Sequence, residues 1–434
     1  SNFRFDSKVT RREFVQLLTG AGFAMPALLT QTSCARALIG SDRDTGLSLC
    51  YVAGDVTSDS AIIWLRAAPG SEVTLYYSND PTFSRSSSAG PFQVDKEADH
   101  TAKIELQKLD PGTTYFYYAA VAGKKPGYLA SFLTAPAPSD VVKVSFCFSG
   151  DTRESYQPFT IMNAVRAQRP DFFLHLGDTI YADINGQARR LSDFWAKYRA
   201  NRNDPATQLC FFETSTYVVW DDHEVVNDYF GSNPLAPLGR KAFFDYWPIR
   251  RQPGEADRIY RSFRWGRAME LFLLDTRQYR DRGAGTMLGK AQKDWLFKSM
   301  AASSAMFKFV ATSVPMAGGG SDRWDGYPAE RAELLRFIRE KRITGVIFLS
   351  ADLHYAAVTS VPKSHGLKDI TAGPLAAPLN RVTNGYAPRF DFFLAENFNF
   401  AKITVDPAVK PAQALVEFID QDNAVFHTTR IKAV

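Results

Sequence analysis

Cysteine is scarce in this 434-residue chain, and so are histidine, long apolar runs and charge of one sign. The four cysteines, Cys34, Cys50, Cys147 and Cys210, show no Cys-x-x-Cys spacing and are too few for a disulfide-stapled scaffold. Cys147 sits in an apolar strand-like run, where a buried free thiol is the plain reading; a Cys147–Cys210 bridge stays open in an oxidising compartment. The net charge is +5, of which residues 1–37 contribute +3 (Arg4, Lys8, Arg11, Arg12 and Arg36 against Asp6 and Glu13), leaving +2 for the rest. A chain of this size at +2 carries no nucleic-acid footprint in its totals. There is no internal repeat and no low-complexity tract. What remains is 45% hydrophobic and 22% charged, the composition of a soluble globular protein, at a length that suits two or three domains.

Residues 1–37 read as an export signal. Thr10-Arg-Arg-Glu-Phe14 lies in a polar segment, Leu17 to Leu29 is modestly apolar, and Ala35-x-Ala37 offers small residues for a signal peptidase, with cleavage expected near Leu38. The apolar run carries Gly and Pro and is too short to span a bilayer stably. Paired arginines ahead of it look like a twin-arginine signal, an address for proteins exported already folded. The expected partner is therefore the twin-arginine machinery and the expected location periplasmic or secreted. Folded export also lets a metal loaded in the cytoplasm travel with the protein.

Residues 44–135 read as short alternating strands (SAIIWLRA, EVTLYYS, TAKIELQ, TYFYYAAVA, GYLASFLT) between Gly, Pro, Ser and Asp clusters. This predicts an all-β sandwich of fibronectin or immunoglobulin type, with Trp64 available for its core. TAPAPSD, at 134–140, is a Pro-rich linker. From 141 to 434 apolar strands alternate with amphipathic helices such as QPFTIMNAVRAQ, KAQKDWLFKSM and PAERAELLRFIREK, before the chain turns mostly β again. The expectation is α/β, as two stacked sheets flanked by helices.

Four acidic clusters each close an apolar run of strand length. VKVSFCFSGD ends in Asp151, DFFLHLGDTIY carries Asp178 and Tyr181, STYVVWDDHE carries Asp222 and His223, and GVIFLSADLH ends in Asp352 and His354. Open α/β sheets bind ligands beyond the carboxyl ends of their strands, so these clusters are expected to converge, and convergent carboxylates repel unless a cation lies between them. Asp151, Asp178, Tyr181 and His354 make one hard set of ligands; Asp178, Asp222 and Asp352 make a second, with Asp178 shared. A phenolate favours Fe(III), and the all-oxygen set suits Ca²⁺, Mn²⁺ or Mg²⁺ better than Zn²⁺.

Asp151-x-Arg153, Gly177-Asp178-x-x-Tyr181, Asp222-His223-Glu224 and Asp352-x-His354, in this order, resemble the motif set of calcineurin-like metallophosphoesterases in the alkaline phosphatase D (PhoD-like) variant. WDDHEVVNDYF, LDTRQYRDR, LGKAQKDWL and WDGYPAER are also similar to that family, and the likeness covers almost the whole chain. It implies a four-layer αββα catalytic domain, bound Fe(III) with Ca²⁺, hydrolysis of phosphomonoesters or phosphodiesters, metal ligation by the six residues named above, and contact of His223 with substrate phosphate. Broader metallophosphoesterases have His where this chain has Arg153, Asn where it has Asp222, and His where it has Asp352. Some PhoD-like enzymes use a Cys as an iron ligand where this chain has Asp151.

Other residues divide between roles. Arg153 pairs either with a carboxylate or with substrate; Asn227, at helical spacing from His223, is an orienter or a phosphate contact. Arg277 is as much structural as functional, His175 alternates away from Asp178 on its strand, and His100, His365 and His427 lie outside the motifs. The function expected is metal-assisted hydrolysis of a small phosphate ester, with in-line attack by a metal-bound hydroxide and His223 assisting the leaving group. A phospholipase D-like or phosphotriesterase activity at the same site, or a noncatalytic exported binding protein, are the alternatives.

Overall fold

The computed structural model describes residues 51–126, 128–318, 320–380 and 390–433. The leader, Cys34 and Cys50 lie outside them. The first strands are β1 (Val52–Gly54), β2 (Ser60–Arg66), β3 (Glu72–Ser78), β4 (Ser87–Gln93), β5 (Thr101–Gln107), β6 (Thr114–Val121) and β7 (Ala130–Leu133). Next come β8 (Val144–Ser149), α1 (Ile161–Ala167), β9 (Phe172–His175), α2 (Leu191–Arg202), α3 (Pro205–Glu213), β10 (Thr216–Val218) and α4 (Ala236–Tyr246). The chain continues with β11 (Arg261–Trp265), β12 (Met269–Leu273), α5 (Gly289–Ala302), β13 (Phe307–Ala311), α6 (Pro328–Glu340), β14 (Val346–Ser350), β15 (Ala356–Ser360) and β16 (Lys368–Thr371). Four strands finish it: β17 (Phe390–Leu394), β18 (Asn399–Val405), β19 (Gln413–Asp420) and β20 (Val425–Lys432).

Two large sheets stack face to face. One has nine strands in the order β20-β19-β18-β8-β9-β10-β1-β2-β5, the other seven in the order β11-β12-β13-β14-β16-β15-β17. In each, the central strands are parallel and linked through helices, β8-α1-β9 in the first and β12-α5-β13-α6-β14 in the second. Strands buried on both faces need continuous apolar runs, which is why VSFCFS and VIFLS do not alternate. Phe146 and Phe309 meet edge-on between the sheets at 5.2 Å, while Leu296, Met300, Leu334 and Ile338 of α5 and α6 pack on the outer face of the seven-stranded sheet. With α1 to α4 on the other side, the architecture is the expected four-layer αββα sandwich preceded by a β region. Cys147 and Cys210 are both free thiols, buried, and burial pushes the Cys210 thiol up to about 12. No helix among the described residues is long and apolar enough to cross a membrane.

The β region is less self-contained than its sequence implies. β3, β4, β6 and β7 form their own sheet, but β1 pairs parallel with β10 at Gly54–Thr216, so β1, β2 and β5 extend the nine-stranded sheet. Trp64, expected in the sandwich core, faces the other way. It is fully buried, donates from Nε1 to the Asp245 carbonyl at 2.7 Å, and packs on Tyr246 and the Arg202 guanidinium. Both faces of β2 are thus covered, one by the four-stranded sheet and one by α2 and α4.

An ion pair fixes the same junction. Asp55, just past β1, accepts from Arg261 of β11 at 2.8 Å and from the Arg250 amide at 2.7 Å, with both charged side chains almost wholly buried. Asp55→Ala leaves the Arg261 charge buried without its partner and is expected to cost about 3–5 kcal/mol, read from urea unfolding. A loss below about 1 kcal/mol would show that the junction does not depend on this pair.

Candidate metal centre

Parallel strands deliver the acidic residues to one edge. β8 leads to Gly150-Asp151, β9 to Gly177-Asp178 and β10 to Asp221-Asp222-His223, side by side in one sheet, while β14 brings Asp352 and His354 from the other. Asp151, Asp178, Asp352 and His354 all have left-handed backbones, with φ of 67°, 51°, 62° and 58°. Non-glycine residues rarely hold this conformation unless their surroundings impose it, and here it turns each side chain out of its strand's pleat. Two glycines permit the crowding: a Cβ on Gly177 would lie 2.8 Å from the Asp221 amide nitrogen, and one on Gly373 would lie 2.6 Å from Asp151 Oδ2.

The first predicted set lies close together, whereas Asp178, Asp222 and Asp352 do not form a single group and are linked through Asp222. Oxygens of Asp151 and Asp178 and a nitrogen of His354 lie within 4.8 Å of one another, and the Tyr181 hydroxyl is 3.1 Å from His354 Nε2. Asp178 and Asp222 form a second such group with His223, and Asp222 and Asp352 a third with Asp221. The chemistry of these donors fits cations. Asp151 Oδ2 and Asp222 Oδ1 are buried without a hydrogen-bond partner. Burial, then the neighbouring carboxylates, pushes the Asp151 and Asp178 carboxyls well above the usual range, and burial followed by Asp178 and Asp151 does the same to the Tyr181 phenol. His354 Nδ1 faces the Pro378 carbonyl at 2.5 Å, which makes Nδ1 the protonated nitrogen and leaves Nε2 its lone pair for a metal.

On the far side arginines offset part of the charge, although burial still pushes the Asp221 carboxyl well above its usual range. Arg277 is fully buried: Nε donates to Asp221, Nη1 donates to Asp322 at 2.8 Å, and Nη2 lies 3.6 Å from Asp222 and 3.9 Å from Asp352. Burial opposes ionisation of Asp222, yet Arg277 and His223 outweigh it and hold that carboxyl below its ordinary value. Arg323 grips Asp352 with two bonds, at 2.7 and 3.0 Å.

His223 stands at the opening. Its Nδ1 is 2.7 Å from Asp183 Oδ1, its ring lies 4.2 Å from that of Tyr181, and its amide donates to Asp178 Oδ1 at 3.2 Å. Burial pulls the imidazole pKa down, but the bond to Asp183 and the charge of Asp222 raise it overall. Arg153 is half-buried; its Nε has no hydrogen-bond partner, and it pairs with no carboxylate among the described residues. The segment from Asp222 to Asp228 forms turns, not a helix, so the helical spacing assumed for Asn227 does not apply. Asn227 is exposed and its amide donates to Asp183 Oδ2 at 3.0 Å. His175 is buried beside Thr152 Oγ1 at 3.3 Å, and His427 stacks on Phe392.

Sequence reasoning missed three residues that hold the loops in place. Asp183 orients His223. Glu224, inside the quoted motif, accepts from the amides of Asp178, Thr179 and Asp221 and from the Thr179 hydroxyl, tying two strand ends together. Asn201 Nδ2 donates at 2.8 Å to the carbonyls of both Thr152 and Thr179, the residues that follow Asp151 and Asp178. An acid at a fixed offset from the motifs was the only signal for the first two; Asn201 gave none.

Fold and site together define a metallophosphoesterase architecture. A solved structure described as PhoD matches with TM-score 0.76 at 21% identity, covering 90% of this chain and 93% of that one. A purple acid phosphatase from yellow lupin (Lupinus luteus) seeds matches with TM-score 0.66 at 15% identity, covering 88% and 74%. The chain belongs to the PhoD-like phosphatase family, whose profile matches residues 145–380, with the profile of that family's N-terminal domain on residues 33–136. It is 28% identical over 379 residues to alkaline phosphatase D of Bacillus subtilis (strain 168), a match spanning 71% of this chain and 64% of that protein's length.

Asn201→Leu removes its bonds to two carbonyls at the site, leaving that of Thr179 with only the long bond from Thr152 Oγ1, and is expected to cost about 2–3 kcal/mol in urea unfolding. Burial pulls the His175 pKa from 6.5 to about 3, so the folded protein keeps this ring neutral where the unfolded chain protonates it. Stability is therefore lost as pH falls from about 6.5 to about 3, and His175→Asn should shrink the difference in unfolding free energy between pH 7 and pH 4.

Proposed function

We propose that the protein is an exported, metal-dependent phosphoric ester hydrolase acting on phosphomonoesters or phosphodiesters. The observation that carries this reading is the convergence of carboxylates from two sheets beside His223, with Asp151 Oδ2 and Asp222 Oδ1 of the nine-stranded sheet buried and unpartnered. Family membership and the name of the Bacillus subtilis relative support the same chemistry. Asp151, Asp178, Tyr181 and His354 would hold one cation, proposed as Fe(III), and Asp178, Asp222 and Asp352 the second, proposed as Ca²⁺, with Mn²⁺, Mg²⁺ or Zn²⁺ as substitutes. Such a pair supplies Lewis acidity and neutralises charge that develops on the phosphoryl oxygens.

The protein's own groups do the rest. Asp183 fixes His223 through Nδ1, so Nε2 is the nitrogen left to donate a proton to the leaving oxygen, and the bond to Asp183 favours the protonated ring. Arg153 offers the phosphoryl group a guanidinium that no described carboxylate occupies. Arg277 stays behind the site and keeps Asp222 ionised. We assign residues 1–37 as a twin-arginine leader, 44–135 as a fibronectin-like domain and 141–434 as the catalytic domain, with a periplasmic or secreted location.

Asp178→Ala is expected to abolish metal loading and activity together, as read by element-resolved metal analysis and a panel of monoester, diester and phospholipid substrates. Active protein should show a phenolate-to-iron absorbance band that Tyr181→Phe removes; absence of iron, with full activity in that variant, would sink the iron assignment. His223→Ala should lower kcat by about 10²–10⁴-fold. Asp183→Asn removes the group that raises the His223 pKa, so the alkaline limb of the kcat profile should move to lower pH.

A further inference from the structure

We propose that Arg323 is an exchangeable counter-ion, neutralising Asp352 until a divalent cation takes that carboxylate and then turning to the oxygens of a bound phosphate ester. This rests on the hydrolase reading above. Both oxygens of Asp352 are engaged by Arg323, at 2.7 and 3.0 Å, yet Asp352 shares a 4.8 Å group with Asp221 and Asp222. A cation cannot take Asp352 fully while a bidentate guanidinium holds it, because two positive charges would then share one carboxylate in a largely buried site.

Of the two arginines that face Asp352, only one has room to move. Arg277 is fully buried and bound to Asp221 and Asp322, whereas the Arg323 side chain is 18% exposed. The backbone on either side of Arg323 is fastened. Its amide donates to the Gly320 carbonyl at 3.1 Å, and Trp324, fully buried, donates from Nε1 to Thr312 Oγ1 at 2.6 Å. Gly318 donates to Asp325 Oδ2 at 2.7 Å. Rotation of the side chain, not movement of a lid, is therefore the route. Asp352, which Arg323 holds, lies in one group with Asp222, the residue before His223, so the guanidinium stands near the imidazole proposed to serve the leaving oxygen. A planar fork released from a carboxylate is suited to two phosphoryl oxygens.

The exchange predicts effects of opposite sign from one substitution, which a purely structural arginine would not give. Full-length protein stripped of metal is titrated with Mn²⁺ by calorimetry, then loaded and titrated with inorganic phosphate. Arg323→Gln should bind Mn²⁺ about tenfold more tightly and phosphate about tenfold more weakly than the parent, the scale of one charge-assisted bond. Arg323→Lys, with charge but no fork, should fall between the two on both measures. Equal or weaker Mn²⁺ binding by Arg323→Gln, or unchanged phosphate binding, overturns the proposal. If the opposed shifts appear but the parent hydrolyses no phosphate ester, the hydrolase reading fails and the exchange stands; if the parent is active without them, the reverse holds.

Discussion

Repulsion among buried carboxylates is the constraint that organises this protein. Asp151, Asp178, Asp221, Asp222 and Asp322 are buried, and Asp352 is half-buried, beyond the carboxyl ends of strands in the two stacked sheets. Arg277 and Arg280 offset part of the charge at the rear of the cluster, each donating to Asp322. The front, around Asp151 and Asp178, has no such cation among the described residues, and there the carboxyls are driven toward their neutral forms. A site with a partly compensated rear and an uncompensated front has one direction from which positive charge can best stabilise it.

The same constraint explains the backbone. Left-handed conformations at four acidic or histidine positions are strained for residues with a Cβ, and only surrounding bonds can hold them. Glu224 and Asn201 supply these bonds as buried bridges between neighbouring strand ends. Their polar atoms act through rigidity, since an error of about 1 Å in ligand placement is enough to lose much of a metal site's function.

Much of this was legible in the sequence because it is written locally. A continuous apolar run closing on an acidic residue announces a buried parallel strand and the residue at its tip, and Asp151, Asp178, Asp222 and Asp352 were found that way. Amphipathic periodicity marked α1, α5 and α6. β4, SSAGPFQ, was not legible, since it is almost wholly exposed and has neither apolar alternation nor a free choice of β-formers. Trp64 was placed on the wrong side because an all-apolar strand does not say which of its two faces meets which layer. Asp183, Glu224, Asn201 and Arg277 depend on contacts between residues 22 to 56 positions apart, and no single-strand pattern encodes those pairings.

The parallel pairing of β1 with β10 also bears on how the chain is assembled. β1, β2 and β5 are synthesised before β10 exists, so the edge they offer it stays open while more than a hundred further residues emerge. The reverse also holds: residues 141–434 made alone would present β10 as the apolar edge strand of the main sheet, with one side open to pairing. The β region is in this sense a covalently attached cover for an edge of the main sheet.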